Sequence, residues 1–360
     1  MTATPAVDVL IVSLGSTGGL RAADMELAQS LRRAGASTTI APAAPPRRMR
    51  TLALTDLGWA LAARRAAHAE LARGTPRAVI YSSTTAALLW PRPGAIRFDA
   101  PSAGNRPGRH GLWQRPLERL RLGQAPLLLP WSEGGLREAP SAARREDRTL
   151  VLPVAVDPSP AEDRLGMGES PGEPGVPESR SESVAGARDI AAITYAANPS
   201  KKGLDRVLEA WRRVRLPSEE LLVAGATAEA LRVAGFDLSA EEGVRLAGRL
   251  SSEEYRALVR RARVFVCAPR REDYGIAQLE ALADGCLLVT TAAPGPYTAL
   301  PLARELDPRL VGEDLGAALR AGLDAPAPDY AARALEALAP FRRAAVDRLV
   351  AEQLLPRLLT

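Results

Sequence analysis

Lysine is almost missing from this chain. Lys and Arg together number 47, yet only Lys201 and Lys202 are lysines, side by side before Gly203. Histidine is as scarce, with only His68 and His110, so a histidine-rich zinc site is excluded. The two cysteines, Cys267 and Cys286, lie in strand-like apolar runs and read as small buried hydrophobes. That excludes a disulfide framework and a thiolate metal site. Aromatics make up 4% and no reader motif is present, so the net charge of +5 does not imply nucleic-acid binding. No apolar run reaches about 18 residues, so no transmembrane helix is expected. Met1–Val7 lacks a basic segment followed by an apolar one, the mark of a secretory leader. The cytoplasm is the expected compartment. Asparagine too is rare, at Asn105 and Asn198, and the Ala, Arg, Leu and Pro bias is that of a GC-rich bacterial genome. The arginines spread over helix faces, as at Arg32–Arg33 and Arg212–Arg213. Such a solvated basic surface also suits an anionic substrate, or peripheral contact with anionic lipid at the inner membrane face.

What is present is a repeated alternation of strands and helices. A length of 360 residues suggests two domains. "DVLIVSL" predicts a first strand, broken by "GSTGGL", and "RAADMELAQSLRRAG" places Leu27, Ala28, Leu31 and Ala34 on one helical face. Further strands are predicted at "STTIA", "AVIYS", "AIRF" and "PLLLP", with helices over 51–73 and 113–123. "TLVLPVAV" is the last apolar run before the composition changes. Residues 159–187 are dense in Pro, Gly, Ser and Glu and cannot bury enough surface to offset their ordering, so a disordered insertion is expected there. The alternation then restarts with "IAAITYAA" and an amphipathic helix bearing Leu204, Val207, Leu208, Trp211 and Val214 on one stripe. The expected map is a Rossmann-like domain over 1–158, the insertion 159–187, a second Rossmann-like domain over 188–335 and a C-terminal helix, 336–360, packing across both. The fold class is α/β, with two doubly wound halves facing a cleft, where ligands bind beyond the carboxyl ends of strands.

Three stretches carry chemistry. "GSTGGL", Gly15 to Leu20, lets backbone approach a ligand at a helix N-terminus, although a plain tight turn explains it equally well. It is not the G-x-G-x-x-G fingerprint and no suitable acid follows, which disfavours an NAD enzyme. "TYAANPSKKGLDRV" places both lysines in a loop after a strand, with Lys202 beside a helix start, where an anion binds well. A chance pair of surface lysines is the competing reading. "APRREDYGIAQLEALADGC" sets Glu272 and Glu280 at either end of a strand-to-helix turn. Both carboxylates can face one cleft, with the amides of Gly275, Ile276 and Ala277 between them. Carboxylates suit sugar hydroxyls, and free amides suit a phosphate.

That last string resembles the E-x7-E signature of retaining glycosyltransferases of family 4, which have the GT-B fold. Glu272, Tyr274, Gly275, Glu280, Ala281, Ala283 and Gly285 match it. "KKGLDRVLEAW" is similar to that family's Lys-Gly segment, and "GSTGGLRAADMELAQSLRRAG" to its N-terminal Gly-Gly loop and helix. The resemblance implies a metal-independent transfer of sugar from a nucleotide-sugar donor, itself a substrate and no cofactor, to an unidentified hydroxyl acceptor. It implies that Lys202 meets the donor diphosphate, Glu280 the ribose hydroxyls and Glu272 the sugar hydroxyls. Gly275, Ile276 and Ala277 would offer amides beside Tyr274, Gly18 and Gly19 would close over the phosphates, and Arg249–Leu250 would begin the base pocket.

Two departures stand out. The family's usual arginine five residues before the lysine is Ala197 here, leaving Lys201, Arg249 or Arg271 to supply a second cation. The family's acceptor-side histidine has no counterpart at the same place, where Asp99 ends a strand and is the candidate for taking the hydroxyl proton. A capping role explains Asp99 as well. Alternatives to transfer are a sugar-nucleotide epimerase of similar fold and a catalytically silent nucleotide-sugar-binding partner subunit.

Overall fold

The computed structural model describes residues 7–47, 49, 51–106, 108–159 and 188–359. The expected disordered insertion therefore lies outside the described residues, apart from Ser159, as does most of the N-terminal stretch read for a leader. Two parallel five-stranded sheets make up the frame. In the first, β1 (Val9–Ser13), β2 (Thr38–Pro42), β3 (Ala78–Tyr81), β4 (Ala95–Phe98) and β5 (Leu128–Pro130) run in the order β2-β1-β3-β4-β5. In the second, β6 (Ile190–Tyr195), β7 (Leu221–Ala224), β8 (Val244–Gly248), β9 (Ala262–Cys267) and β10 (Leu287–Thr290) run in the order β10-β9-β6-β7-β8. The strands are short, and the inner ones are covered on both faces, as strands sandwiched between helices must be; β3, β4, β7 and β10 are buried at every residue, whereas the edge strands β2 and β8 are partly exposed.

The helices that position the site are α1 (Gly18–Arg33), α2 (Leu52–Arg73), α3 (Thr84–Ala87), α4 (Ser102–Asn105), α5 (Gln114–Gln124), α6 (Glu133–Glu138), α7 (Pro199–Lys202), α8 (Leu204–Val214), α9 (Ala228–Val233), α10 (Ser252–Arg261) and α11 (Ile276–Ala283). Side-chain caps start several of them. Thr17 accepts from Leu20 N at 3.2 Å on α1, and Ser251 with Glu254 forms a reciprocal capping box on α10.

The segment after β5 continues extended rather than as a named strand. Leu150 N donates to Leu128 O at 2.9 Å and Leu152 N to Pro130 O at 2.8 Å, and Leu150, Leu152, Val154 and Val156 are all buried. At the far end the chain returns to the first sheet, where Val346, Val350 and Leu354 pack with Val9, Ile11, Leu27 and Ile80. The helical stretch Arg343–Leu359 there widens into a π turn over Val350–Leu354. Pro356 follows at once, and a proline ring collides with the carbonyl four residues back unless the helix opens. No helix among the described residues is long and apolar enough to cross a membrane.

Candidate active site

The second sheet reverses its strand order between β9 and β6, so the loops after these two strands open a crevice. On the β6 side, Asn198 accepts from Lys201 N at 3.1 Å and Pro199 takes the first helical position, which nucleates the short helix α7. The lysines thus stand in the last turn of a helix, not in the loop expected from the sequence. Gly203 ends α7 at φ 67°, and a Cβ there would overlap Ala268 O at the exit of β9. Only glycine permits both the left-handed turn and that approach.

The approach brings the lysines onto two consecutive acids. Lys202 Nζ lies 2.6 Å from Glu272 Oε2, and Lys201 Nζ 2.6 Å from Asp273 Oδ2. Gln278 Nε2, from α11, also donates to Glu272 Oε2, at 3.0 Å. One carboxylate oxygen of Glu272 is therefore held twice, while Oε1 accepts no hydrogen bond among the described residues. Glu272 is 5% exposed, and such a buried carboxylate is tolerable only because it is paired. Its backbone is pinned as well: its N–H donates to Pro294 O, and its carbonyl accepts from Tyr297 N.

Gly275, at φ 94°, turns the chain into α11 without a side-chain cap. The amides of Gly275, Ile276 and Ala277 find no acceptor among the described residues, so the helix start can take an anion. One turn on, Glu280 is half-buried, with Oε1 3.7 Å from Arg256 Nη1. Burial pushes its carboxyl up to about 7, Arg256 pulls it down and Asp284 pushes it up. Tyr195 and Tyr255 stand nearby with ring centroids 5.2 Å apart, and both phenols are raised by burial first and by the Glu280 charge second. Arg249 follows β8, is exposed and makes no ion pair among the described residues; Leu250 beside it packs on the second core.

From the first sheet, the Gly-rich loop reaches the same place. Gly18 and Gly19 form the first turn of α1, and a Cβ on Gly19 would stand 3.5 Å from Ile276 Cδ1. Asp99, after β4, accepts from Ala100 N at 2.7 Å. Burial raises its carboxyl to about 6, the Asp273 charge adds to the rise, and Lys201 opposes it. Asp99 and Asp273 thus sense each other from opposite domains.

Tyr274 needs a correction. Its ring is 2% exposed and offers no surface to a ligand. It packs edge-on against Trp131 at 5.2 Å between centroids, its hydroxyl accepts from Val154 N at 3.1 Å, and Arg97 lies over the Trp131 ring at 4.9 Å. An aromatic with a polar tip serves here as a wedge between the domains. Of the three cations considered for the place of Ala197, Lys201 and Arg271 are both bonded to Asp273, whereas Arg249 makes no ion pair among the described residues.

Sequence reasoning missed Asp273, Gln278 and Arg256. Gln278 left a signal, a polar residue on the buried side of the apolar helix "IAQLEALA". Asp273 was masked by the neighbouring Glu272, and Arg256 was one arginine among many.

Residues 176–300 match the family model described as glycosyl transferases group 1. No curated protein matches the sequence. Among solved structures, WaaG, a glycosyltransferase involved in lipopolysaccharide biosynthesis, is similar with a TM-score of 0.65 at 15% identity, over 94% of this chain and 98% of its own. HepE of Anabaena, solved with UDP and glucose, gives a TM-score of 0.62 at 12% identity, over 96% and 98% of the two chains. Sucrose-phosphate synthase from Thermosynechococcus elongatus gives 0.62 at 16% identity, over 97% and 98%. At these identities the likeness establishes the GT-B fold. Fold and matched domain together define the class, a glycosyltransferase.

Proposed function

We propose that the chain is a retaining, metal-independent glycosyltransferase of family 4 and of bacterial origin. It moves a sugar from a nucleotide-sugar donor to a hydroxyl acceptor. The observation that carries this reading is the paired contact of Lys202 with Glu272 and Lys201 with Asp273 at the β6–β9 reversal, beside an uncapped helix start. HepE, a structural neighbour, was solved in complex with UDP-glucose, which supports a nucleotide-sugar as donor.

In this reading the diphosphate draws Lys202 from Glu272 and takes the amides of Gly275, Ile276 and Ala277, so that preorganised donors meet the charge of the leaving group. Glu280 accepts from the ribose hydroxyls, with Arg249 and Leu250 at the base. Glu272, kept in place by Gln278, turns its open oxygen to the sugar hydroxyls. Gly18 and Gly19 allow α1 to close over the phosphates. The acceptor oxygen bonds to the anomeric carbon on the face from which the diphosphate departs, and its proton passes to Asp99. A carboxyl titrating near 6 is well matched to that task at neutral pH. The reaction belongs in the cytoplasm, and the net charge of +5 suits peripheral contact with an anionic membrane face.

A thermal-shift panel of UDP-, GDP- and ADP-sugars identifies the donor, and nucleotide release with candidate acceptors tests transfer. Glycoside product with the donor's anomeric configuration is expected, without added metal. Binding without release would leave a silent partner subunit, and an epimerised donor would make it an epimerase.

A further inference from the structure

Arg271 stands between the donor lysines and the first domain, and its pairing with Glu138 and Asp273 commits its guanidinium to protein carboxylates rather than to the second-cation role offered by the sequence. Its Nε donates to Asp273 Oδ1 at 2.8 Å and to Asn105 Oδ1 at 2.9 Å, and its Nη2 to Glu138 Oε2 at 2.6 Å. Asp273 belongs to the second domain, whereas Asn105 on α4 and Glu138 on α6 belong to the first. A Cβ placed on Gly104 would lie 2.5 Å from Cζ, Nη1 and Nη2 alike, so the guanidinium lies flat over that glycine. Its side chain is 17% exposed, and the ion pairs are therefore screened less than surface ones.

We propose that Arg271 is a positioning residue, a clamp that registers the loop bearing Asp99 against the donor lysines. Toward the first domain it holds α4, which follows Asp99 directly and is itself anchored by Glu118, whose carboxylate accepts from Ser102 N and Oγ. Toward the second it holds Asp273, whose other oxygen holds Lys201. A planar fork reaches several acceptors at once, and an ammonium cannot reproduce that. The spacing between acceptor base and donor is thereby set by one side chain, and an error of an ångström in such spacing is costly. The kinetic consequence rests on the glycosyltransferase reading; the clamp itself does not.

The test uses the full chain with R271A, R271K and G104A. The last keeps every charge but thrusts a methyl into the guanidinium. Cys267 and Cys286 are buried, so cysteines introduced at exposed Arg65 and Glu229 take spin labels selectively and report the distance between domains. R271A and G104A should broaden and lengthen that distance, and R271K should do so less. With donor and acceptor identified, kcat should fall about tenfold to a hundredfold in both, with donor KM within about twofold, and R271K should recover part of the loss. Wild-type distances in both R271A and G104A overturn the clamp, as does unchanged kcat in both. Should R271A fail to fold, G104A decides alone. Should the wild type turn over no donor, the functional reading fails, while the label distances still decide the clamp.

Discussion

Lys202 Nζ and Glu272 Oε2 are 2.6 Å apart although their residues are 70 positions apart in the chain, and Gln278 donates to the same oxygen. The pair joins the segments that follow β6 and β9. It satisfies a buried carboxylate, and in the proposed reading an incoming diphosphate takes over the lysine while Gln278 keeps hold of Glu272.

Lys202→Ala should weaken nucleotide-sugar binding by about 1.5–3 kcal/mol, the range for hydrogen bonds to charged groups. Lys201→Ala should cost less, because Asp273 keeps Arg271. Isothermal titration with the donor measures both; equal and negligible losses would return the lysine pair to coincidence.

The two glutamates should separate kinetically. Glu280→Gln weakens donor binding, because an amide accepts poorly from two ribose hydroxyls. Glu272→Gln lowers kcat and kcat/KM together, because its contacts strengthen as the sugar distorts in the transition state. Gln278→Leu should follow Glu272→Gln, more weakly, since it frees the same carboxylate. Steady-state kinetics with the true donor distinguish them, and wild-type behaviour in both glutamate variants would place the cleft elsewhere.

Glu280 also makes a pH prediction. Its carboxyl is raised from 4.5 to about 7, by burial above all. A raised acid costs the fold nothing below about pH 4.5, and the cost grows as pH climbs to about 7, where the group ionises in the native state. Glu280→Gln removes that cost, so its melting temperature should exceed the wild type's at pH 8 and converge with it at acid pH. Donor affinity of the wild type should rise through neutral pH as Glu280 ionises, and that of Glu280→Gln should stay flat. A flat wild-type profile would remove Glu280 from the ribose.

The ends of the insertion are clasped by one residue. Ser159 N donates to Asp284 Oδ1 at 2.8 Å, and Arg188 Nη2 to Asp284 O at 2.7 Å. Replacing 160–187 by a short Gly-Ser link should therefore leave fold and donor binding intact. A fourfold shorter loop is worth about 1 kcal/mol of closure entropy, so denaturant unfolding should show a small gain. A large loss would mean that the segment is packed.

The strands were legible because a strand covered on both faces is a short apolar run, as "AVIY" and "LLVA" are. The caps Thr17 and Ser251 emerge only in the structure, whereas breaks between elements were legible at "GSTGGL", Gly203 and Gly275. These are local properties, each decided by a few consecutive residues and their backbone freedom. They were enough for the class of fold, and they singled out Lys201, Lys202, Glu272 and Glu280 as candidates while passing over Asp273. The partners of those residues were not legible. That Lys202 meets Glu272 depends on β6 lying beside β9 in the sheet, and that Tyr274 turns into the domain junction depends on Trp131 and Val154 being there to receive it. The same holds for Arg271, read from the sequence only as a candidate cation, whose acceptors come from two domains. Distance between side chains remote in the chain is set by packing whole sheets together, and only the tertiary structure decides it.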